Sequence, residues 1–107
     1  MNVGHYVALF FGGMFLFNAL PHLAAGAMGR PFQSPFATPR GEGLSSSTVN
    51  VLWGFFNLVV AWWLLVRAGN LDLREGNSVL VAGVGGLAIS LFAACHFGRF
   101  HGGNTPT

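Results

Sequence analysis

Residues 49–66 read VNVLWGFFNLVVAWWLLV, and this stretch decides the fold class. It contains no charged side chain, and Asn50 and Asn57 are its strongly polar residues. A helix of about 20 mostly apolar residues can cross the hydrocarbon core of a bilayer, whereas a core helix of a small soluble protein needs one polar face. The stretch therefore predicts a transmembrane helix at about residues 48–67.

Two further apolar stretches lie on either side of it. Residues 6–28 contain no Asp, Glu, Lys or Arg, and residues 79–97 are equally free of them. The first stretch is not typical of a secretory signal peptide, because its apolar part is too long and no Arg or Lys precedes it. We therefore predict an all-α integral membrane protein with three transmembrane helices in one domain, residues 1–107, with spans at about 5–28, 48–67 and 78–98.

The composition of the whole chain supports this class. Hydrophobic residues make up 52% and charged residues 7% of 107 residues, against about 25% charged in ordinary soluble domains. All five basic residues are arginines, and they are scattered, so they form no nucleic-acid-binding patch. The one cysteine, Cys95, excludes a disulfide framework within the chain.

The segment between the first two spans, residues 29–47, is rich in proline. Prolines recur every four residues from Pro31 to Pro39, and each removes a backbone donor, so the segment cannot be a fourth span. One interpretation is an interfacial surface loop whose Phe32 and Phe36 dip into the headgroup region. The other is a lid over a space between the helices.

The distribution of arginine predicts an orientation. With three spans, the first loop and the polar tail, residues 99–107, lie on the same side of the membrane. They carry three arginines, against two on the other side, Arg67 and Arg74. We therefore predict a multi-pass protein of the cell inner membrane. By the positive-inside rule, its first loop and its C-terminus lie in the cytoplasm.

Five polar residues of the spans are the candidate site. Three-span topology brings the end of the first helix, the start of the second and the end of the third to one side of the bilayer. Intramembrane polar groups are costly and are functional candidates by default. The cluster, called the polar cluster below, comprises Asn18, His22, Asn50, Asn57 and His96.

Helical spacing predicts which faces meet. Asn18 and His22 are four residues apart and share a face. We expect this face to continue back through Phe15, Phe11, Ala8 and Gly4. On the second helix, Asn50 and Asn57 lie on one stripe with Gly54 and Ala61, in steps of four, three and four. Polar and small residues of membrane helices prefer protein partners, so these stripes should face one another or their copies in an oligomer.

The sequence gives little support for a metal-binding site or for an enzyme active site. Cys95 and His96 are adjacent and point about 100° apart on a helix, so they cannot easily share one ion. No acid or lysine lies within the spans for acid–base work beyond histidine. We therefore expect no site for a protein-ligated metal ion, and we favour a role without catalysis while leaving an enzyme open.

Three functions remain open. The first is an accessory or scaffold subunit of a larger membrane complex or homo-oligomer in the lipid bilayer. The second is a homo-oligomeric channel or transporter for a small solute, an anion or protons. The third is a redox protein that is quinone-linked or binds haem through His22 and His96. Asn57 separates the first two: it should face a pathway in a transporter and be bonded to a neighbouring helix in a scaffold.

Overall fold

Three long helices form most of the computed structural model, which describes residues 2–105. Helix α1 covers Val3–Ala27, α2 covers Ser47–Trp62 and continues as a π-helix over Trp63–Ala68, and α3 covers Gly76–His101. All three are long and apolar enough to cross a membrane. The structure therefore has the predicted number and order of long apolar helices, and α3 continues three residues past the predicted end at 98.

Helix α1 is the centre of the fold. It packs along both α2 and α3, whereas α2 and α3 make almost no contact with each other within residues 2–105. Close approach depends on glycine: a Cβ atom built on Gly13 would overlap the carbonyl oxygen of Ala82, and one on Gly85 would overlap that of Phe10. The helices therefore form an open arrangement with a cleft between α2 and α3.

The buried face of α1 differs from the predicted one. Phe11 was expected on the same buried face as Asn18 and His22, but its side chain is 46% exposed. Leu9, Gly12 and Gly13 are buried instead. The prediction holds at Ala8, which is buried, and was wrong at Phe11, because α1 has a neighbour on each of two sides and does not pack along one face alone.

The predicted interfacial loop, called the capping loop below (residues 28–46), is folded rather than extended. Its strands β1, Phe32–Gln33, and β2, Leu44–Ser45, form a short antiparallel pair. The Ser34 and Ser45 hydroxyls form a buried hydrogen bond at 2.6 Å, and the Thr38–Pro39 bond is cis. This ribbon sets the position of the loop over the end of the helices.

At the opposite end of the molecule, Glu75 caps the start of α3. Its Oε2 accepts a hydrogen bond from the Ser78 hydroxyl at 2.6 Å, and its Oε1 accepts one from the Asn77 backbone N–H at 3.2 Å. The Ser78 hydroxyl lowers the pKa of the Glu75 carboxyl, because that hydrogen bond favours the ionised form.

Candidate functional site

His22, Asn50 and His96 lie at the capping-loop end of the three helices, as the topology predicts, and Asn57 lies halfway along the Ser47–Ala68 segment. The five residues of the polar cluster form three separate hydrogen-bonded groups rather than one. His22 pairs with Asn50, Asn18 pairs with Asn57, and His96 bonds to the capping loop. Each group joins two elements of the fold, so every member has a structural role whatever else it does.

The surrounding hydrogen bonds fix the orientation of the Asn50 amide and therefore the hydrogen-bonding role of His22. Asn50 Nδ2 lies 3.0–3.2 Å from the carbonyl oxygens of Phe32, Ser45 and Ser46, so this atom must be the amide nitrogen. Asn50 Oδ1 therefore accepts the hydrogen bond from His22 Nδ1, at 2.8 Å. In neutral His22 the remaining nitrogen, Nε2, is then an acceptor, and it has no partner within residues 2–105.

The Asn18–Asn57 pair joins α1 to α2. Asn57 is fully buried. Its Nδ2 donates to the Trp53 carbonyl oxygen at 2.7 Å, and its Oδ1 accepts from Asn18 Nδ2 at 3.1 Å. The predicted stripe is also confirmed, because Gly54 and Ala61 are buried together with Asn50 and Asn57.

His96 attaches α3 to the capping loop. Its Nε2 donates to the Gly41 carbonyl oxygen at 2.7 Å, and its Nδ1 accepts from Arg99 Nη2 at 3.0 Å. One more contact reinforces the link: the His101 ring stacks on Phe32 and its Nε2 lies 2.8 Å from Gln33 Oε1. The loop thus bridges α2 and α3, which barely touch each other directly.

A cavity of about 340 Å³, called the loop-end cavity below, lies beneath this bridge. Its volume is within the range of small-molecule sites, about 300–1,000 Å³. All three helices and the loop contribute to its wall. The polar lining side chains are Asn18, His22, Ser34, Arg40 and His96, and the aromatic ones are Trp53, Phe92 and Phe97. The lid interpretation of the loop fits this arrangement, since Pro35, Arg40 and Gly41 also line the cavity.

A second cavity of about 240 Å³, the inner cavity, lies next to the first and farther from the loop. Met14, Phe15 and Ile89 give it an apolar wall, and Ile89 precedes His96 by about 10 Å along α3. The two cavities share Asn18 and Trp53 as lining residues. The Trp53 indole Nε1 is buried and has no hydrogen-bond partner in the described part of the chain.

The two histidines do not form a ready pair of haem ligands. Phe97 lies between them, with its ring 6.1 Å from the His22 ring and 5.1 Å from the His96 ring, edge-to-face with both. Both nitrogens of His96 already bond to the protein. Axial ligation by both rings would require Phe97 and the Gly41 contact to move. Across residues 2–105, no three His, Cys, Asp or Glu side chains are grouped closely enough to hold a metal ion.

Sequence reasoning identified three of the residues that line the loop-end cavity, Asn18, His22 and His96, and missed the others, of which Arg40 and Trp53 matter most below. Arg40 lies in the capping loop, where no helical period relates it to the spans, and Trp53 is one of several aromatic residues of α2.

No protein-family model, no curated protein and no solved structure matches this chain. The assignment of a function therefore depends on the geometry alone.

Proposed function

We propose that the chain is an integral protein of the cell inner membrane that acts as an accessory or scaffold subunit of a membrane assembly. The hydrogen-bonding of Asn57 carries this proposal. This side chain is buried and bonded to both α1 and its own helix, which is the arrangement expected of a scaffold. Interhelical amide bonds of this kind fix the packing of membrane helices.

The outward face of α3 is the candidate surface for an interaction with another subunit. Leu80, Val84, Leu87 and Leu91 follow one another in steps of four, three and four, and all four side chains are exposed. That spacing forms one continuous apolar stripe. Because lipid chains are as apolar as leucine, the stripe fits lipid and a neighbouring helix equally well, and the crosslinking experiment below decides between them. Because α3 packs mainly against α1, this stripe is available to a second copy or to a larger subunit.

Site-specific photo-crosslinking in cells tests the proposal. A photo-reactive amino acid at Leu87, on the stripe, should give one discrete protein adduct. The same amino acid at Phe55, which is equally exposed on α2 (61% against 58%), should give mainly lipid adducts. An adduct with this same chain would identify a homo-oligomer. Lipid adducts alone at both positions, together with solute flux in reconstituted vesicles, would reject the scaffold in favour of a channel.

A channel or transporter is the second candidate function. The observation in its favour is that the loop-end cavity and the inner cavity follow each other along the helices. Asn57 itself lines the inner cavity. Against a channel, both its Oδ1 and its Nδ2 are hydrogen-bonded within the protein, and three helices do not enclose a path without further copies. Flux measurements on reconstituted protein distinguish this candidate from the first.

The proposed orientation places the capping loop and the C-terminus in the cytoplasm. In a Cys95→Ala background, Glu42→Cys reports on the capping loop and Leu73→Cys on the turn between α2 and α3; both positions are exposed. A membrane-impermeant maleimide added to spheroplasts should label Leu73→Cys and leave Glu42→Cys unlabelled until the membrane is opened. The reverse pattern would invert the topology.

A further inference from the structure

One residue that lines the loop-end cavity, Arg40, carries a positive charge without an anionic partner within residues 2–105. Arg40 is an exposed residue of the capping loop, and among residues 2–105 its side chain has no hydrogen bond or ion pair. None of the three acidic residues lines the cavity: Glu42 is exposed on the capping loop, and Asp72 and Glu75 lie at the other end of the helices. An anion at this position would therefore meet attraction without a competing carboxylate.

Hydrogen-bond donors outnumber acceptors around the same space. Asn18 Nδ2 uses one hydrogen for Asn57 and retains the other. The buried Trp53 Nε1 is a donor without an acceptor in the described chain, and a buried unpaired donor is costly. His22 Nε2 and Asn18 Oδ1 are the side-chain acceptors among the same lining residues for which the described chain provides no donor. A ligand group rich in acceptor oxygens, with few donors, complements this lining.

The inner cavity supplies a place for an apolar chain. It adjoins the loop-end cavity at Asn18 and Trp53 and is lined by Met14, Phe15 and Ile89. The cleft between α2 and α3 leaves this region accessible from the side, because those helices barely contact each other. A polar headgroup under the capping loop could thus continue into one alkyl chain that lies along α1.

The geometry points to a binding site for a single-chain anionic amphiphile, with a carboxylate or phosphate headgroup at Arg40 and its alkyl chain in the inner cavity. The capping loop acts as the cover of this site, and Trp53 contacts the junction of headgroup and chain. The site is separate from the outer stripe of α3, so its failure would leave the proposed scaffold function intact.

Fluorescence quenching tests the site directly. Trp62→Phe combined with Trp63→Phe leaves Trp53 as the sole tryptophan of the full-length chain. In nanodiscs of neutral phosphatidylcholine, a long-chain fatty acid brominated in mid-chain should quench Trp53 saturably, and the brominated alcohol of the same length should bind at least about tenfold more weakly. Arg40→Gln should weaken binding of the fatty acid to a similar degree, whereas Arg40→Lys should retain most of the affinity. Arg74→Gln, at the opposite end of the helices, should leave the affinity unchanged.

Three results would overturn the inference. The first is equal quenching by the acid and the alcohol, which would indicate partition into lipid. The second is an unchanged affinity in Arg40→Gln. The third is displacement of the acid by inorganic phosphate or acetate at equal concentration, which would indicate a site for a free anion without a chain. An unchanged thermal unfolding midpoint of Arg40→Gln ensures that a lost affinity reports on binding rather than on folding.

Discussion

Gly13 of α1 lies directly against the carbonyl oxygen of Ala82 of α3, with no room for a side chain between them. The same contact is made in the other direction, where Gly85 of α3 lies against the Phe10 carbonyl oxygen. Backbone-to-backbone packing of this kind is typical of membrane helices with small residues at their interface. The α1–α3 interface therefore tolerates no methyl group at either position.

Gly13→Ala should separate α3 from α1. The added Cβ overlaps a backbone atom, which cannot rotate away, so we expect a loss of about 1–3 kcal/mol in stability. Gly83→Ala is the matched control, since a Cβ atom there meets nothing within 4 Å and alanine favours a helix by up to about 1 kcal/mol. Thermal unfolding midpoints in mild detergent measure both variants, and equal midpoints would contradict the close packing.

Asn50→Leu should destabilise the capping loop. The change leaves His22 Nδ1 without its acceptor and three loop carbonyl oxygens without their shared donor. The Ser46 carbonyl oxygen keeps the Asn50 backbone N–H as a donor. A buried group left unpaired costs about 1–3 kcal/mol, and His22 Nδ1 is the group that loses its one hydrogen bond, so we expect a loss of at least about 1–3 kcal/mol. Asn104→Ala, in the exposed tail, should have no effect. Limited proteolysis within the capping loop should accelerate in Asn50→Leu alone.

Asn18 and Asn57 should show energetic coupling. A double-mutant cycle with Asn18→Leu and Asn57→Leu isolates their hydrogen bond, and bonds of this type in membrane proteins are worth about 0.6–1.7 kcal/mol. The same variants address transport when reconstituted in vesicles. If Asn57→Leu abolishes a flux that the unaltered chain supports, and the cycle shows no coupling, Asn57 lines a pathway and the scaffold proposal is wrong.

The stability of the folded protein should depend on pH through the ionisation of Glu75. Its pKa is lowered in the folded protein, so its contribution is fully present above the unfolded value near 4.5 and is lost as the pH falls through the lower folded value. Glu75→Gln should therefore flatten the decline of the unfolding midpoint below about pH 4.5. Glu42→Gln, at an exposed loop position, is the control, and an identical flattening there would remove the assignment to Glu75.

Much of the helical organisation follows from the sequence alone. Long uncharged stretches predict the three helices, and the spacing of Asn50 and Asn57 predicts the buried stripe of α2, because the helical period relates residues on the same element. The same period misplaced Phe11, since a central helix has two packed sides. No period applies to the capping loop, so the position of Arg40 over the cavity depends on the β1–β2 pairing and on tertiary contacts.

The central position of α1 has a consequence for biosynthesis. The ribosome produces this helix first, so both later helices emerge after the surface that each of them packs against already exists. Neither α2 nor α3 has to wait for the other, and each can dock without rearranging a bundle formed earlier. A chain lacking residues 1–27 would retain two apolar helices that have lost their common neighbour, and its products should be cleared by membrane proteases rather than assemble.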